Sequence, residues 1–290
     1  MHMLEPKEIA KRSKEKSSKK RGGQAMLAVL CVLMALAGLG GYWYLKMRPH
    51  SEVSQTIVQP APRAAPKSKA SSKVTEPKTR LKTFTGPQFK DLYHSISYPN
   101  TEPFTNPPEI TGNVVADDHI RTLAEKRGFV LTSIPVAPIV KTGEKLISAD
   151  GDDLLQPLAQ KSWLQLKAAA NTAGVKMTLI SAYRSPKWQR DLFMQRLLTN
   201  GGNVQKIADG LGDVAVNDTL SMTAVPGYSR HHTGYTVDLY CEDGVAFASS
   251  TCNTWISQNN FEQAKKAGWI PSYPPGADVQ GPEPEPWEYV

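Results

Sequence analysis

Residues 229–238 read SRHHTGYTVD and carry a histidine and an aspartate seven positions apart, with a glycine between them. His231 and Asp238 are both good ligands for a divalent metal, because zinc accepts imidazole nitrogen and carboxylate oxygen alike. Since side chains alternate between the two faces of a strand, this spacing does not place both residues on one face of a single strand. Gly234 lets the chain change direction, which predicts His231 on a turn and Asp238 on a strand over 235–240. By itself, the pair equally fits a polar loop that enters a strand.

Two other segments stand in order around this one. Upstream is SAYRS, residues 181–185, followed by Gln189; downstream are GWIP, residues 268–271, and EPWEYV, residues 285–290. Together the segments resemble the motifs of VanY-type D-alanyl-D-alanine carboxypeptidases, whose signature is S-x-H-x-x-G-x-x-x-D. The resemblance runs from the strand before residue 181 to the C-terminus. It implies an α+β fold: a single domain, similar to hedgehog and DD-peptidase domains, with a small antiparallel sheet.

The resemblance also implies a metal site and a catalytic base. His231 and Asp238 match two of the ligands of the family, and Glu285 matches the glutamate base of its E-x-x-H segment. The third ligand position holds Glu288 where the family has histidine. Two carboxylates neutralise a divalent zinc ion, so the pKa of a bound water should stay higher than in a two-histidine site. Zinc is the expected metal, manganese is the alternative because harder ions favour carboxylates, and the neighbouring His232 is a weak substitute ligand.

Other positions match residues that contact substrate in the family. Arg184 corresponds to an arginine that binds substrate and stabilises the transition state, although an arginine here also fits a structural ion pair. Gln189 and Ser229 are further expected substrate contacts. Tyr183 is a supporting residue that fits packing equally well.

The N-terminal part of the chain has a different character. The net charge of +7 arises largely from a lysine-rich start, and a basic tail alone would be compatible with nucleic acid. However, residues 22–45 carry no charge, and the apolar run is long enough to span a bilayer once. We therefore expect a basic cytoplasmic tail over 1–24, a transmembrane helix over 25–45, a linker rich in Pro, Ser, Ala and Lys over 46–88, and a VanY-like domain over 89–290 outside the cytoplasm, in the periplasm or on the cell-wall side. A cleaved signal peptide is the alternative to the helix.

The chain has three cysteines, of which Cys241 and Cys252 fall in the predicted extracytoplasmic domain. An oxidising compartment makes a disulfide between them plausible. Two free thiols are the alternative. Zinc ligation by this pair is disfavoured, because the spacing fits no common cysteine motif for zinc.

Hydrophobic periodicity and turn residues outline the rest of the domain. The residues up to 111 are interrupted by prolines and read as a loop. Helices and strands mix without regular alternation, as in an α+β domain. Asp117, Asp118, Asp152 and Asp153, with His119, match no ligand spacing and are interpreted as helix caps. The predicted helices cover 117–127, 152–172, 186–199, 204–211 and 254–267, and the predicted strands cover 175–180 and begin again at 269.

These observations favour a membrane-anchored, metal-dependent carboxypeptidase that trims the D-Ala-D-Ala end of peptidoglycan stem peptides. Two other interpretations remain open at this stage. Glu288 could weaken the metal site and leave a module that binds wall peptides without cutting them. An enzyme of the same group could instead cut inside the stem peptide. The expected partners are therefore the stem peptide and the membrane, without nucleic acid, and the sequence does not determine the oligomeric state.

Overall fold

The computed structural model describes residues 81–147 and 151–290. It contains helices α1 to α7, at Gly86–Ser95, Val114–Lys126, Pro157–Thr172, Pro186–Thr199, Val204–Ala208, Asp213–Leu220 and Thr251–Lys266. Helix α4 shows why these elements start where they do. Ser185 caps it by accepting a hydrogen bond from the Trp188 backbone N–H at 3.1 Å, and a proline follows in the first turn, where its missing N–H costs nothing. The predicted bounds of this helix, 186–199, are confirmed.

The strands β1 to β8 form three small antiparallel sheets. They lie at Thr101–Pro103, Ser133–Pro135, Val140–Lys141, Leu154–Leu155, Met177–Ser181, Val237–Cys241, Pro271–Tyr273 and Glu285–Tyr289. The largest sheet has the order β5-β6-β8-β7, while β1 pairs with β2 and β3 pairs with β4. The fold is therefore α+β with small antiparallel sheets, as the sequence predicted. Strand β6 lies in the middle of the main sheet, between β5 and β8.

Two clusters of buried side chains fix the framework of the site. The first packs α3 against the main sheet and includes Trp163, Leu179 and Leu239, which are all fully buried. The second joins α2, α4 and α6 and includes Phe193 and Val216. Burial of each large apolar side chain stabilises the fold by roughly 1.5–3 kcal/mol. Because α4 belongs to one cluster and β5 to the other, the loop between them, which carries Arg184, is held at both ends.

Several predicted elements need correction. Helix α1 replaces part of the predicted loop and begins within the last residues assigned to the linker. Its capping box joins Thr85 and Gln88, and its proline lies in the first turn, where proline is tolerated. Helix α2 begins at Val114 because Asn113 is its N-cap, and α3 begins only at Pro157, after strand β4. Helix α6 was not predicted.

The aspartates interpreted as helix caps have other roles. Asp117 lies in the first turn of α2 and accepts hydrogen bonds from the backbone of Ile110 and Thr111. The other members of that group are spread over separate contacts: Asp118 pairs with Arg121, His119 with Asp213, Asp152 with Tyr183 and Asp153 with Lys141. The interpretation as helix caps is therefore wrong.

The predicted disulfide between Cys241 and Cys252 is confirmed. It joins the end of β6 to the start of α7, and both residues are buried in the core of the main sheet. Helix α7 itself is interrupted at residues 258–261, where the backbone leaves the helical region.

The predicted transmembrane segment over 25–45 lies outside the described residues. Within residues 81–147 and 151–290, no helix has both the length and the apolar character that a membrane span requires.

Candidate metal centre

The motif histidine lies on a tight turn, as the sequence predicted. A short 3₁₀ helix, Arg230–Thr233, is ended by Gly234, whose φ of 74° lies in the left-handed region, which glycine adopts readily. His231 is fully buried, and its Nδ1 lies 2.6 Å from the carbonyl oxygen of Ala182. A carbonyl can only accept, so Nδ1 carries the proton of this bond. Nε2 therefore points away from Ala182 with its lone pair available to a ligand.

The two carboxylates come from neighbouring strands of the main sheet. Asp238 on β6 and Glu288 on β8 are directly opposite each other in the antiparallel register, so their side chains share one face. His231 Nε2 lies 3.4 Å from Asp238 Oδ1 and 3.3 Å from Glu288 Oε2. One ligand atom from each of the three residues lies within 4.8 Å of the others, and all three residues are buried. The structure thus brings together the three residues predicted as metal ligands.

The outer atoms of the three residues are all held by other groups. Asp238 Oδ2 forms an ion pair with Arg184, and Glu288 Oε1 accepts a hydrogen bond from Ser272 Oγ at 2.5 Å. By contrast, Asp238 Oδ1 is buried and has no hydrogen-bond donor among the described residues. Each residue is therefore anchored by one atom and directs the other towards a common centre, as second-shell contacts do in metal sites.

The spacing of the inward atoms fits a small divalent cation. Tetrahedral zinc with ligand bonds of about 2.0–2.1 Å separates neighbouring ligand atoms by about 3.4 Å. The separations of 3.4 and 3.3 Å around His231 Nε2 match that value. A lone pair and two carboxylate oxygens at this distance repel one another unless a cation lies among them. The residues present therefore fit a metal ion of this kind.

The pKa shifts of His231 and Glu288 also indicate that a positive charge is stabilised at this centre. Burial and the charge of Arg184 both disfavour an imidazolium, but Asp238 and Glu288 outweigh them and raise the pKa of His231. Burial alone would raise the pKa of Glu288, yet the contact with His231 and the charge of Arg230 lower it to about 2. The raised pKa of His231 shows that the two carboxylates favour a positive charge at this position. Because a histidine ligand must be deprotonated, metal binding at this centre depends on pH.

Glu285, the predicted base, lies on the same strand as Glu288 at the edge of a cleft. Burial, and then the negative charges of Glu288 and Asp238, raise its pKa well above the usual value. Two nearby carboxyl groups with pKa values moved in opposite directions are a common arrangement for acid–base chemistry, in which one stays ionised while the other carries a proton. Glu285 is thus suited to exchange a proton, and Glu288 to remain a charged ligand.

A cleft of about 390 Å³ opens beside the centre, with Arg184, Asp238 and Glu285 in its wall. A second cleft of about 590 Å³ adjoins it. Both clefts are lined by Arg196, Met222, Glu285 and Trp287. The two form one groove that extends from the carboxylate cluster along α4 and past the C-terminal end of α6. An extended peptide could lie along it, with arginine side chains near the cluster.

The remaining predicted substrate contacts lie elsewhere. Gln189 is buried and its side-chain amide donates to the carbonyl of Ala224 at 2.7 Å. Ser229 is also buried and precedes the 3₁₀ helix as its N-cap. Tyr183 is partly buried, and its backbone pairs with Asp152. None of the three lines the groove, so in this structure they support the loops that carry Arg184 and His231.

His232, the weak substitute ligand of the sequence analysis, points away from the metal centre. Its Nδ1 lies 2.6 Å from the carbonyl oxygen of Arg184, and its Nε2 accepts from the Gly227 N–H at 3.0 Å. A ring that both donates and accepts is neutral. Burial lowers its pKa to about 4, which keeps it neutral and in place. It joins the two motif loops without being a ligand.

Two residues of the centre were missed by the sequence analysis. Ser272 holds Glu288, and the buried Arg230 in turn donates to Ser272 Oγ at 2.9 Å. Arg230 stands inside the motif, at the variable position between Ser229 and His231, so its type carried no signal. Ser272 lies on β7, and only the strand pairing brings it to Glu288.

The chain was also compared with known proteins. Residues 152–290 match the family model described as VanY, D-alanyl-D-alanine carboxypeptidase. This part of the chain is therefore similar to VanY-type domains. The match confirms the resemblance drawn from the three ordered motifs. A comparison with curated proteins gave no match.

Several solved structures also resemble part of the chain. One is the vancomycin resistance D,D-pentapeptidase VanY from a VanB-type cassette, in complex with Zn(II), at 22% identity over 56% of this chain and 86% of that one, with a TM-score of 0.41. Another is the LdcB LD-carboxypeptidase, at 19% identity over 63% and 82%, with a TM-score of 0.38. A third is DacB from Streptococcus pneumoniae D39, at 19% identity over 55% and 78%, with a TM-score of 0.34.

Proposed function

We propose that the VanY-type domain is a metal-dependent carboxypeptidase that removes the terminal D-alanine from peptidoglycan stem peptides. The observation that carries the proposal is the convergence of His231, Asp238 and Glu288, each with its outer atom held and its inner atom directed to one centre. The family match over residues 152–290 supports the substrate class.

His231, Asp238 and Glu288 would hold the metal ion. Zinc is the first candidate for this mixed nitrogen and oxygen donor set, and manganese is the alternative because two of the donors are carboxylates. When bound, the ion polarises the scissile carbonyl and acidifies a water molecule. Glu285, whose pKa is raised by burial and by the neighbouring carboxylates, would then work as a base at a lower pKa, because a positive ion beside it would favour its ionised form.

Glu285 is the group that moves the proton. It lies in the wall of the cleft beside Asp238, within reach of a peptide that enters the groove. As general base it takes a proton from the attacking water, and as general acid it delivers that proton to the amino group of the departing D-alanine. A raised pKa suits this double role, because the carboxyl group must both accept and release a proton near neutral pH.

Arg184 supplies positive charge at the edge of the cleft. Its Nε donates to Ser181 Oγ at 3.0 Å, while a terminal nitrogen pairs with Asp238. These two contacts hold the guanidinium in one position. It can therefore stabilise the negative charge that develops on the scissile carbonyl oxygen. Arg196, further along the groove, is placed to attract the C-terminal carboxylate of the substrate.

The proposal extends to the location of the domain. The lysine-rich start and the uncharged residues 22–45 support a single membrane span over 25–45, with the N-terminus inside and the linker over 46–88 carrying the domain outside. The Cys241–Cys252 disulfide is consistent with an oxidising compartment. Protease added to intact spheroplasts should remove the domain and spare the N-terminal tail; a protected domain would contradict this topology.

The activity is tested with a muramyl pentapeptide that ends in D-Ala-D-Ala. The zinc-loaded full chain should shorten it by one alanine, as read by mass spectrometry of the products. Glu285→Gln should keep the metal and lose turnover, because it removes the proton acceptor and leaves the ligands. Cleavage inside the stem would contradict the carboxypeptidase assignment. Equal turnover by the variant would contradict the role of Glu285.

A second candidate function rests on Glu288, which stands where the family has histidine. If two carboxylates leave the metal too weakly bound, the domain binds wall peptides without cutting them. The wild-type chain would then bind the pentapeptide, as measured by calorimetry, while releasing no D-alanine with either zinc or manganese.

A further inference from the structure

A buried arginine stands behind the third ligand. Arg230 is only 4% exposed, and its guanidinium carbon lies 3.5 Å from the ring centroid of Tyr93 and 3.8 Å from that of Tyr273. Its Nη1 donates to Ser272 Oγ at 2.9 Å and also to the Ser272 carbonyl. Ser272 Oγ in turn donates to Glu288 Oε1 at 2.5 Å. The chain of contacts leads from the arginine to a proposed metal ligand.

Burying Arg230 costs free energy unless its positive charge interacts favourably with another group. A buried guanidinium is expensive to desolvate, and aromatic faces offset only part of that cost. A planar guanidinium held between two rings has little freedom, so it fixes the hydroxyl that it contacts. Because Ser272 Oγ receives a hydrogen bond from Arg230, its own proton is directed to Glu288. The carboxylate of Glu288 is therefore fixed in orientation and polarised through the hydroxyl.

The charges around the two anionic ligands follow one pattern. Asp238 has Arg184 on its outer oxygen, and Glu288 has Arg230 behind its outer oxygen, through Ser272. A ligand set with two carboxylates cancels the charge of a divalent ion and weakens its pull on bound groups. A cation on the outer side of each carboxylate withdraws electron density from it and counters this effect.

We propose that Arg230 is a positioning residue for the metal ligand Glu288: through Ser272 it holds Oε1 so that Oε2 faces His231 Nε2, and its charge offsets the second carboxylate of the ligand set. The inference rests on the proposed metal-dependent function and adds to it the reason that a glutamate can serve at the third ligand position. It predicts that Arg230 and Ser272 act on the metal through Glu288 alone.

The test measures zinc affinity of the full chain by competition with a chromophoric chelator, for Arg230→Gln and Ser272→Ala. Loss of an outer contact of this type weakens metal binding by about 10–100-fold, and we expect that loss in both variants. Arg230→Lys keeps a hydrogen-bond donor for Ser272 without the planar fork and should recover part of the affinity. Arg190→Gln is the control, since it removes a partly exposed arginine that pairs with Glu109, and its affinity should equal that of the wild type.

Two further readouts separate positioning from general structural support. Cobalt-substituted protein should show a shifted visible spectrum in Arg230→Gln and Ser272→Ala, because the ligand geometry changes. In a Glu288→His background, Arg230→Gln should leave zinc affinity unchanged, since the carboxylate through which it acts is absent. Melting curves in the presence of EDTA show which variants are folded. If Arg230→Gln does not fold, Ser272→Ala decides by the same criteria.

The outcomes distinguish this inference from the proposed function. If Arg230→Gln and Ser272→Ala bind zinc as tightly as the wild type, the inference is wrong. The proposed metal-dependent function would then still stand. An equal loss of affinity from Arg230→Gln in the wild-type and Glu288→His backgrounds also overturns it, because the arginine would then act on the fold in general. Wild-type protein that binds neither zinc nor manganese overturns both.

Discussion

Replacing Glu288 by histidine restores the ligand type that the VanY family has at this position, but the structure predicts a cost to the fold. In the metal-free protein, Glu288 is fully ionised, since its pKa is about 2, and it accepts the short hydrogen bond from Ser272 Oγ. Histidine at this position removes the charged acceptor. The hydroxyl of Ser272, and Arg230 behind it, then lose the carboxylate that they contact.

The magnitude follows from the contact that is lost. A hydrogen bond to a charged group contributes about 1.5–3 kcal/mol, so the free energy of unfolding of Glu288→His should fall by about 2 kcal/mol without metal. For a domain of this size each kcal/mol shifts the melting temperature by about 2–4 °C, which gives a decrease of about 4–8 °C. The prediction concerns the metal-free protein only, because bound zinc adds its own stabilisation.

The assay is thermal and urea unfolding of both proteins in EDTA, followed by circular dichroism. Glu102→His is the matched control, because this glutamate is exposed on β1 and its replacement should leave the melting temperature unchanged. A Glu288→His variant as stable as the wild type without metal would refute the reasoning, since it would show that the arginine and serine do not depend on the carboxylate.

Other predictions concern the disulfide, the buried histidine and the cleft arginine. Replacing both Cys241 and Cys252 by alanine opens a loop with a sequence separation of 11 and should lower the free energy of unfolding by about 3 kcal/mol, as measured by urea denaturation; an unchanged midpoint would contradict it. The pKa of His232 is lowered from 6.5, the value for the unfolded chain, to about 4 in the folded protein, so the folded protein binds fewer protons than the unfolded chain. The stability that His232 contributes is therefore present above pH 6.5 and is lost as the pH falls through about 4. The loss amounts to about 3 kcal/mol, and unfolding measured across this pH range should show it in the wild type and not in His232→Gln. Arg184→Gln should lower the rate of D-alanine release about 100-fold, as for other groups that stabilise a developing oxyanion, and an unchanged rate would place the arginine outside the chemistry.

The sequence predicted the parts of the site that depend on local pattern. Gly234 after His231 indicated a turn, and the structure has a 3₁₀ helix ended by that glycine. The motif order indicated that His231, Asp238 and Glu288 would meet, and their atoms do so across the β6 and β8 pairing. Hydrophobic periodicity predicted helix α4 at its observed bounds.

The missed features depend on contacts between distant parts of the chain. Arg230 and Ser272 are 42 positions apart, and Ser272 and Glu288 are 16 apart, so only the strand order joins them. Helix α1 was read as loop because its proline was taken as a break, although proline in a first turn is compatible with a helix. Helix α6, Asp213–Leu220, contains valine, asparagine, aspartate and threonine, whose low helix propensity hides it. Its packing against α4 within the buried cluster stabilises it instead.

The central claim is that His231, Asp238 and Glu288 hold one metal ion, and the zinc content of the purified full chain tests it most directly. The protein is loaded with zinc, dialysed against metal-free buffer and analysed by mass spectrometry for metal per chain, beside His231→Ala and the partly exposed control His119→Ala. We expect about one zinc per chain in the wild type and in the control, as in catalytic zinc sites generally, and none in His231→Ala. A wild-type chain that retains no more zinc than His231→Ala would contradict the account.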